Sequence, residues 1–146
     1  MSNVAVVNVV RILDESKKGK VLAGTLRTAA EKWQKELQDL EKQFNEAREK
    51  LQKLGQGISD AHFKQEREVR MLEIEVRHMQ AKAQLDIESR RDQARSKVLQ
   101  EISPIMENLA KELGIDVIIT VPAREVAFVS EAADITDKLL AKVDAA

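Results

Sequence analysis

Residues 23–54 carry an apolar rhythm in steps of three and four. It runs through Ala23, Leu26, Ala30, Trp33, Leu37, Leu40, Phe44, Ala47, Leu51 and Leu54 without a miss. The positions between are mainly Lys, Glu, Gln and Asp. Two interleaved sevens of this kind form a heptad seam, and a seam held over many turns implies a left-handed coiled coil. The stretch "KLGQGISDAH", Lys53 to His62, then breaks a sequence otherwise nearly free of Gly and Pro. Gly55 and Gly57 are expected to take positive φ there, and Ser59 to cap a returning helix. The two long helices are therefore antiparallel neighbours, and at ~1.5 Å per residue their hairpin extends on the order of 60 Å.

The returning helix carries its own seam: Val69, Leu72, Val76, Met79 and Ala83. A strict heptad would next place Asp86 and Arg90 on it. A phase shift restores apolar residues at Ile87, Ala94, Val98, Ile102, Ile105, Leu109 and Leu113. Such a stutter relaxes supercoiling locally, so a flexible point is expected between Asp86 and Arg91. Pro104 removes a backbone donor and is expected to kink or locally distort the helix. Gly114 is the expected C-terminal stop.

The ends read differently. "VAVVNVVRIL", Val4 to Leu13, is β-branched and reads as a strand, with Ser16 capping the first long helix. "DVIITV" and "VAFVS", Asp116–Val121 and Val126–Ser130, read as a β-hairpin turning at Pro122–Glu125. "DITDKLLAKV" reads as a short helix with Asp134 as N-cap, Asp137 in a capping-box-like position, and an apolar face of Ile135, Leu139, Leu140 and Val143. The expected fold class is α+β, mostly α. A long antiparallel coiled-coil hairpin projects from a small β body. Residues 1–15 and 114–146 would form the body and oligomerisation domain, and residues 16–113 the arm, with its tip at 55–59. Three short strands with apolar, unpaired edges invite pairing with other copies, so a homo-oligomer is expected.

Composition excludes several classes. Charged residues make up 34% of the chain and aromatics only 3%, as in long helices rather than a compact core. Residues 16–113 carry 20 basic and 17 acidic side chains, too even a balance for a nucleic-acid surface. There is no cysteine, hence no disulfide and no thiolate chemistry. No apolar run approaches the ~20 residues that span a membrane. "MSNVAVVNVV" has neither the basic start nor the long apolar core of a signal peptide, which reads as a cytoplasmic chain or a processed form. "LGQGIS" lacks the lysine of a phosphate loop. His62 and His78 have no carboxylate triad or HExxH setting, so the chain reads as a non-enzyme without cofactor or metal.

"VAVVNVVRILDESKKGK", "PIMENLAKELGIDVIITV" and "VAFVSEAADITDKLL" resemble the Skp/OmpH family of periplasmic chaperones. The likeness covers essentially the whole chain, in the right order. It is most specific at "ES..GK", "LGIDVII" and "DITDKLL". It implies a homotrimer whose β-barrel body is completed by three subunits. Three helical hairpins would enclose unfolded outer-membrane β-barrel proteins in the periplasm without ATP. Members are often strongly basic, whereas the net charge here is −1.

On that resemblance Val4, Val6, Val7, Val117, Ile119, Val121 and Phe128 would build the trimer body. Val69, Met71, Leu72, Ile74, Val76 and Met79 exceed what one seam needs, because Met71 and Ile74 fall off it. They are the candidate client contacts, with methionine giving adaptable surface. Trp33 and Phe44 read as packing between the helices or, alternatively, as surface turned to the cavity. Arg90, Arg91, Arg95 and Lys97 form the densest basic cluster, either a solvated face or an anion site for acidic client segments or lipopolysaccharide phosphate. The rival reading is a structural coiled-coil scaffold or spacer without a client. A prefoldin-like chaperone is disfavoured, since its strands lie between the helices rather than outside them.

Overall fold

A computed structural model describes residues 2–120 and 122–146. The elements follow the order β1 (Val4–Val6), α1 (Val9–Glu15), α2 (Lys17–Lys53), α3 (Asp60–Leu113), β2 (Val117–Ile119) and α4 (Thr136–Ala145), with a single 3-10 turn at Ala123–Glu125. The chain is α+β and mostly α. It divides into two compact units, residues 1–25 with 91–146, and residues 26–90.

In the first unit β1 and β2 pair in parallel, Val4 opposite Val117 and Val6 opposite Ile119. The strand expected over Val4–Leu13 stops at Val6. Asn8 is the reason: its Oδ1 accepts from the Arg11 N–H at 3.3 Å and caps α1. Val9 and Ile12, three apart, are then buried on the inner side of that helix. Ser16 closes α1 and opens α2. Its buried hydroxyl accepts from the Gly19 N–H at 2.9 Å. The corner is tight, because a Cβ on Gly19 would lie 1.7 Å from the Leu13 carbonyl oxygen.

Among the described residues, the expected hairpin of Asp116–Val121 and Val126–Ser130 does not form. Glu125 N–H donates to the Pro122 carbonyl at 2.8 Å and turns the chain, and Val126–Ser130 joins no strand. The free side of β1 is used instead by a later segment. Val6 N–H donates to Ala133 O at 2.8 Å, and Ile135 N–H to Val6 O at 3.1 Å. Asp134, expected as the cap of α4, stands one residue earlier, since Ile135 occupies the cap position. Its carboxylate accepts from both the N–H and the hydroxyl of Thr136, which holds it below the usual carboxylate range. Asp137 makes no capping box. It accepts from Arg11 at 2.8 Å and ties α4 to α1.

The core of this unit collects Val7, Ile12, Val98, Ile102, Ile135, Leu139 and Val143, with Leu22 packed against it. The ends of both long helices thus belong to the same core as the terminal segments. Helix α3 continues through Pro104 without interruption. It ends where Gly114 takes φ 66°, and the Ile115 N–H reaches back to the Ala110 carbonyl at 2.9 Å.

The second unit is a helical hairpin. Gly55 turns it with φ 67°, whereas Gly57 stays outside the left-handed region. The Ser59 hydroxyl accepts from the His62 N–H at 3.2 Å, starting α3 as expected.

Candidate functional site

The second unit presents two chemically distinct faces. Inside, α2 contributes Leu26, Trp33, Leu37, Leu40, Phe44, Ala47 and Leu51, all buried or half-buried. Opposite them, α3 contributes Val69, Leu72, Val76, Met79 and Ala83. Ala30, expected on the seam, is exposed, and Ala29 takes the half-buried place. Cross-helix hydrogen bonds confirm the antiparallel register within the unit. Trp33 Nε1–H donates to Asp86 at 2.8 Å, and Gln65 Nε2–H to the Ala47 carbonyl at 2.9 Å.

The structure divides the six candidate client contacts. Val69, Leu72, Val76 and Met79 are half-buried on the seam side. Met71 and Ile74 are 63% and 66% exposed. Two residues that the sequence reading passed over join them on the outside: Phe63, 48% exposed, and Leu85, 67% exposed. The available signal was spacing. Phe63, Ile74 and Leu85 stand eleven residues apart, and at 100° per residue eleven steps return to nearly the same azimuth.

The seam's polar position is bonded across the helices. Asp86 Oδ2 accepts from the Trp33 indole and from Arg90 Nε, each at 2.8 Å. The Lys82 ammonium lies 5.9 Å from the Trp33 ring centroid. The indole hydrogen bond first, then the Arg90 bond, hold the Asp86 carboxyl below its usual range. The stutter expected to loosen the hairpin thus contains a polar cross-link. Arg90 is engaged by Asp86, while Arg91, Arg95 and Lys97, in the other unit, are exposed without an ion-pair partner among the described residues.

In the first unit, Val4, Val117 and Ile119 are exposed and Val6 is half-buried. Their register puts all four on one face of the two-stranded sheet. Val7 is buried in the chain's own core. Phe128 is 83% exposed, and Val121 lies outside the described residues. No described helix is long and apolar enough to cross a membrane.

Comparison with known proteins adds the family. No curated protein matches the chain significantly. A crystal structure from Caulobacter crescentus CB15, given as a candidate outer membrane chaperone (OmpH-like), superposes with a TM-score of 0.78 at 21% identity. The match covers 99% of this chain and 85% of that one. At that identity the likeness establishes the fold. The family model "Outer membrane protein (OmpH-like)" matches residues 3–143. With nearly every residue inside that match, the chain belongs to the OmpH-like family of outer membrane proteins.

Proposed function

We propose that this chain is an ATP-independent holdase chaperone that keeps unfolded outer-membrane β-barrel proteins from aggregating in the periplasm. The observation that carries the reading is the family match over residues 3–143. The exposed apolar side chains of the helical hairpin support it, because isolated patches of this kind suit weak capture of unfolded chains. A holdase of this type needs no catalytic group. It works by many shallow contacts, and several hairpins acting together raise avidity without any sequence code.

The same reading includes a homotrimer. The outward sheet face of Val4, Val6, Val117 and Ile119 supports self-assembly, since it is apolar and β2 has no second neighbour among the described residues. Phe128 is a further candidate for the body, whereas the burial of Val7 within one subunit gives it a core role there. Arg91, Arg95 and Lys97 are candidates for acidic client segments or lipopolysaccharide phosphate. A spacer without clients would not need exposed Met71, Ile74 or Phe128, which disfavours the scaffold alternative.

The test is direct. A urea-unfolded outer-membrane β-barrel protein is diluted with and without this chain, and light scattering is followed. Suppression is expected at a threefold molar ratio of subunits to client, about one trimer each. Undiminished scattering would remove the reading. Solution mass tests the assembly separately: a stable monomer of 16.4 kDa would contradict the trimer.

A further inference from the structure

We propose that client polypeptide is held on the outer face of α3 between Phe63 and Leu85, and not on the seam residues of the same helix. The inference rests on the holdase reading and assigns its binding surface. On a helical wheel of 100° per residue, Phe63, Met71, Ile74 and Leu85 fall within about 80° of one another. The seam residues Val69, Leu72, Val76 and Met79 lie on roughly the opposite side. All four outer side chains are about half exposed or more, while the four seam side chains are half-buried. Client contact at the seam would require the two helices to part. Contact at the outer face requires no rearrangement.

The spacing selects the occupant. Phe63, Ile74 and Leu85 succeed one another every three turns, about 16 Å apart, with Met71 beside Ile74. A second helix packing here would need an apolar residue at every third or fourth position. This face instead carries Arg67, Arg70 and His78 between the apolar ones. The apolar surface on offer is a few hundred Å², well under the ~800 Å² per partner of a stable interface. A second copy of this chain is therefore a poor fit. An unfolded polypeptide with alternating apolar and polar residues fits better, since it has no fixed shape and can meet separated apolar points. Met71 adapts to whatever side chain arrives. Arg67, with no ion-pair partner among the described residues, is free to meet an acidic side chain or a backbone carbonyl.

The test compares the full chain with the double variant Ile74→Gln, Leu85→Gln, both at exposed helical sites that glutamine tolerates. The control is Val21→Gln, equally exposed but in the other unit. Each is titrated against a diluted, urea-unfolded β-barrel protein, with helix content, melting and solution mass measured alongside. The double variant is expected to need roughly tenfold more protein for half-suppression of scattering. Its helix content and mass should be unchanged, and Val21→Gln should behave as the parent chain. Equal suppression by the double variant and the parent overturns the surface and leaves the holdase reading intact. Failure of the parent chain itself overturns both. A fall in mass of the double variant alone would make this face a contact between copies, and overturns the assignment.

Discussion

The two units of this protein are held together in different ways, although the same two long helices supply much of both. In residues 1–25 and 91–146, several large side chains are completely buried, among them Ile12, Ile102 and Leu139. In residues 26–90 the most buried are Ala47, Ala83 and Leu40, at 4%, 8% and 9% exposure. Two helices alone cannot surround a side chain, whereas a sheet, two short helices and two helix ends can. The first unit therefore has a core. The second has only a seam, with hydrogen bonds across it at Asp86 and Ala47. A thin seam leaves outer helix faces available, which is what a binding surface for unfolded chains requires.

The largest test of this contrast is truncation in each unit. Ile102→Ala should cost about 2–5 kcal/mol in urea unfolding, because the rigid core cannot collapse around the cavity. Leu40→Ala should cost about 2 kcal/mol or less, since a two-helix seam can close up. Equal losses would break the comparison. Next comes the corner of the first unit. Gly19→Ala should cost about 1–3 kcal/mol, because its Cβ would collide with the Leu13 carbonyl. Gly24→Ala, on the same helix with nothing within 4 Å of an added Cβ, should instead stabilise by up to about 1 kcal/mol. Thermal melting of the pair separates close approach from helix propensity.

A smaller effect concerns the seam's polar position. Trp33→Phe keeps a six-membered aromatic ring but removes the pyrrole ring with its N–H donor to Asp86, and should cost about 1 kcal/mol or more. Hydrogen exchange should quicken from Ala83 to Arg90 and stay unchanged around Leu139. The smallest effect is the pH response. Asp86 is held below its usual 3.8, so its contribution is present above that value and lost as pH falls through the lower folded-state value. Acid titration followed by Trp33 fluorescence should show this step. Asp86→Asn should remove it, and an unchanged profile in that variant would assign the step elsewhere.

Regular parts of the molecule were legible because their signals are local and periodic. The seam from Trp33 to Leu51, the turn glycine Gly55, the cap Ser59 and the stop at Gly114 all appear where periodicity and backbone freedom place them, while Ala30 yields its seam place to Ala29. The terminal segments were less legible because tertiary partners decide them. A β-branched run became strand then helix once Asn8 capped Val9–Glu15, a signal visible in the sequence but outweighed by the valines around it. Val126–Ser130 has strand propensity but joins no described strand, and the later segment that does reach the sheet, Ala133–Ile135, pairs with β1 rather than β2. The phase shift at Asp86 was readable, but not that an indole 53 residues away would bond to it. Of the exposed apolar side chains proposed to meet clients, Met71 and Ile74 stand out in the sequence by excess over the seam. Phe63 and Leu85 were missed because an eleven-residue spacing is invisible to a search by sevens.

On the proposed reading, unfolded clients are held on the helical hairpin while the cored unit stays as it is. Hydrogen exchange of the full protein with and without a bound, unfolded β-barrel client tests this most directly. Added protection is expected between Phe63 and Leu85, with none from Val98 to Leu109. Protection confined to Val4–Val6 and Val117–Ile119, with the hairpin unaffected, would contradict it.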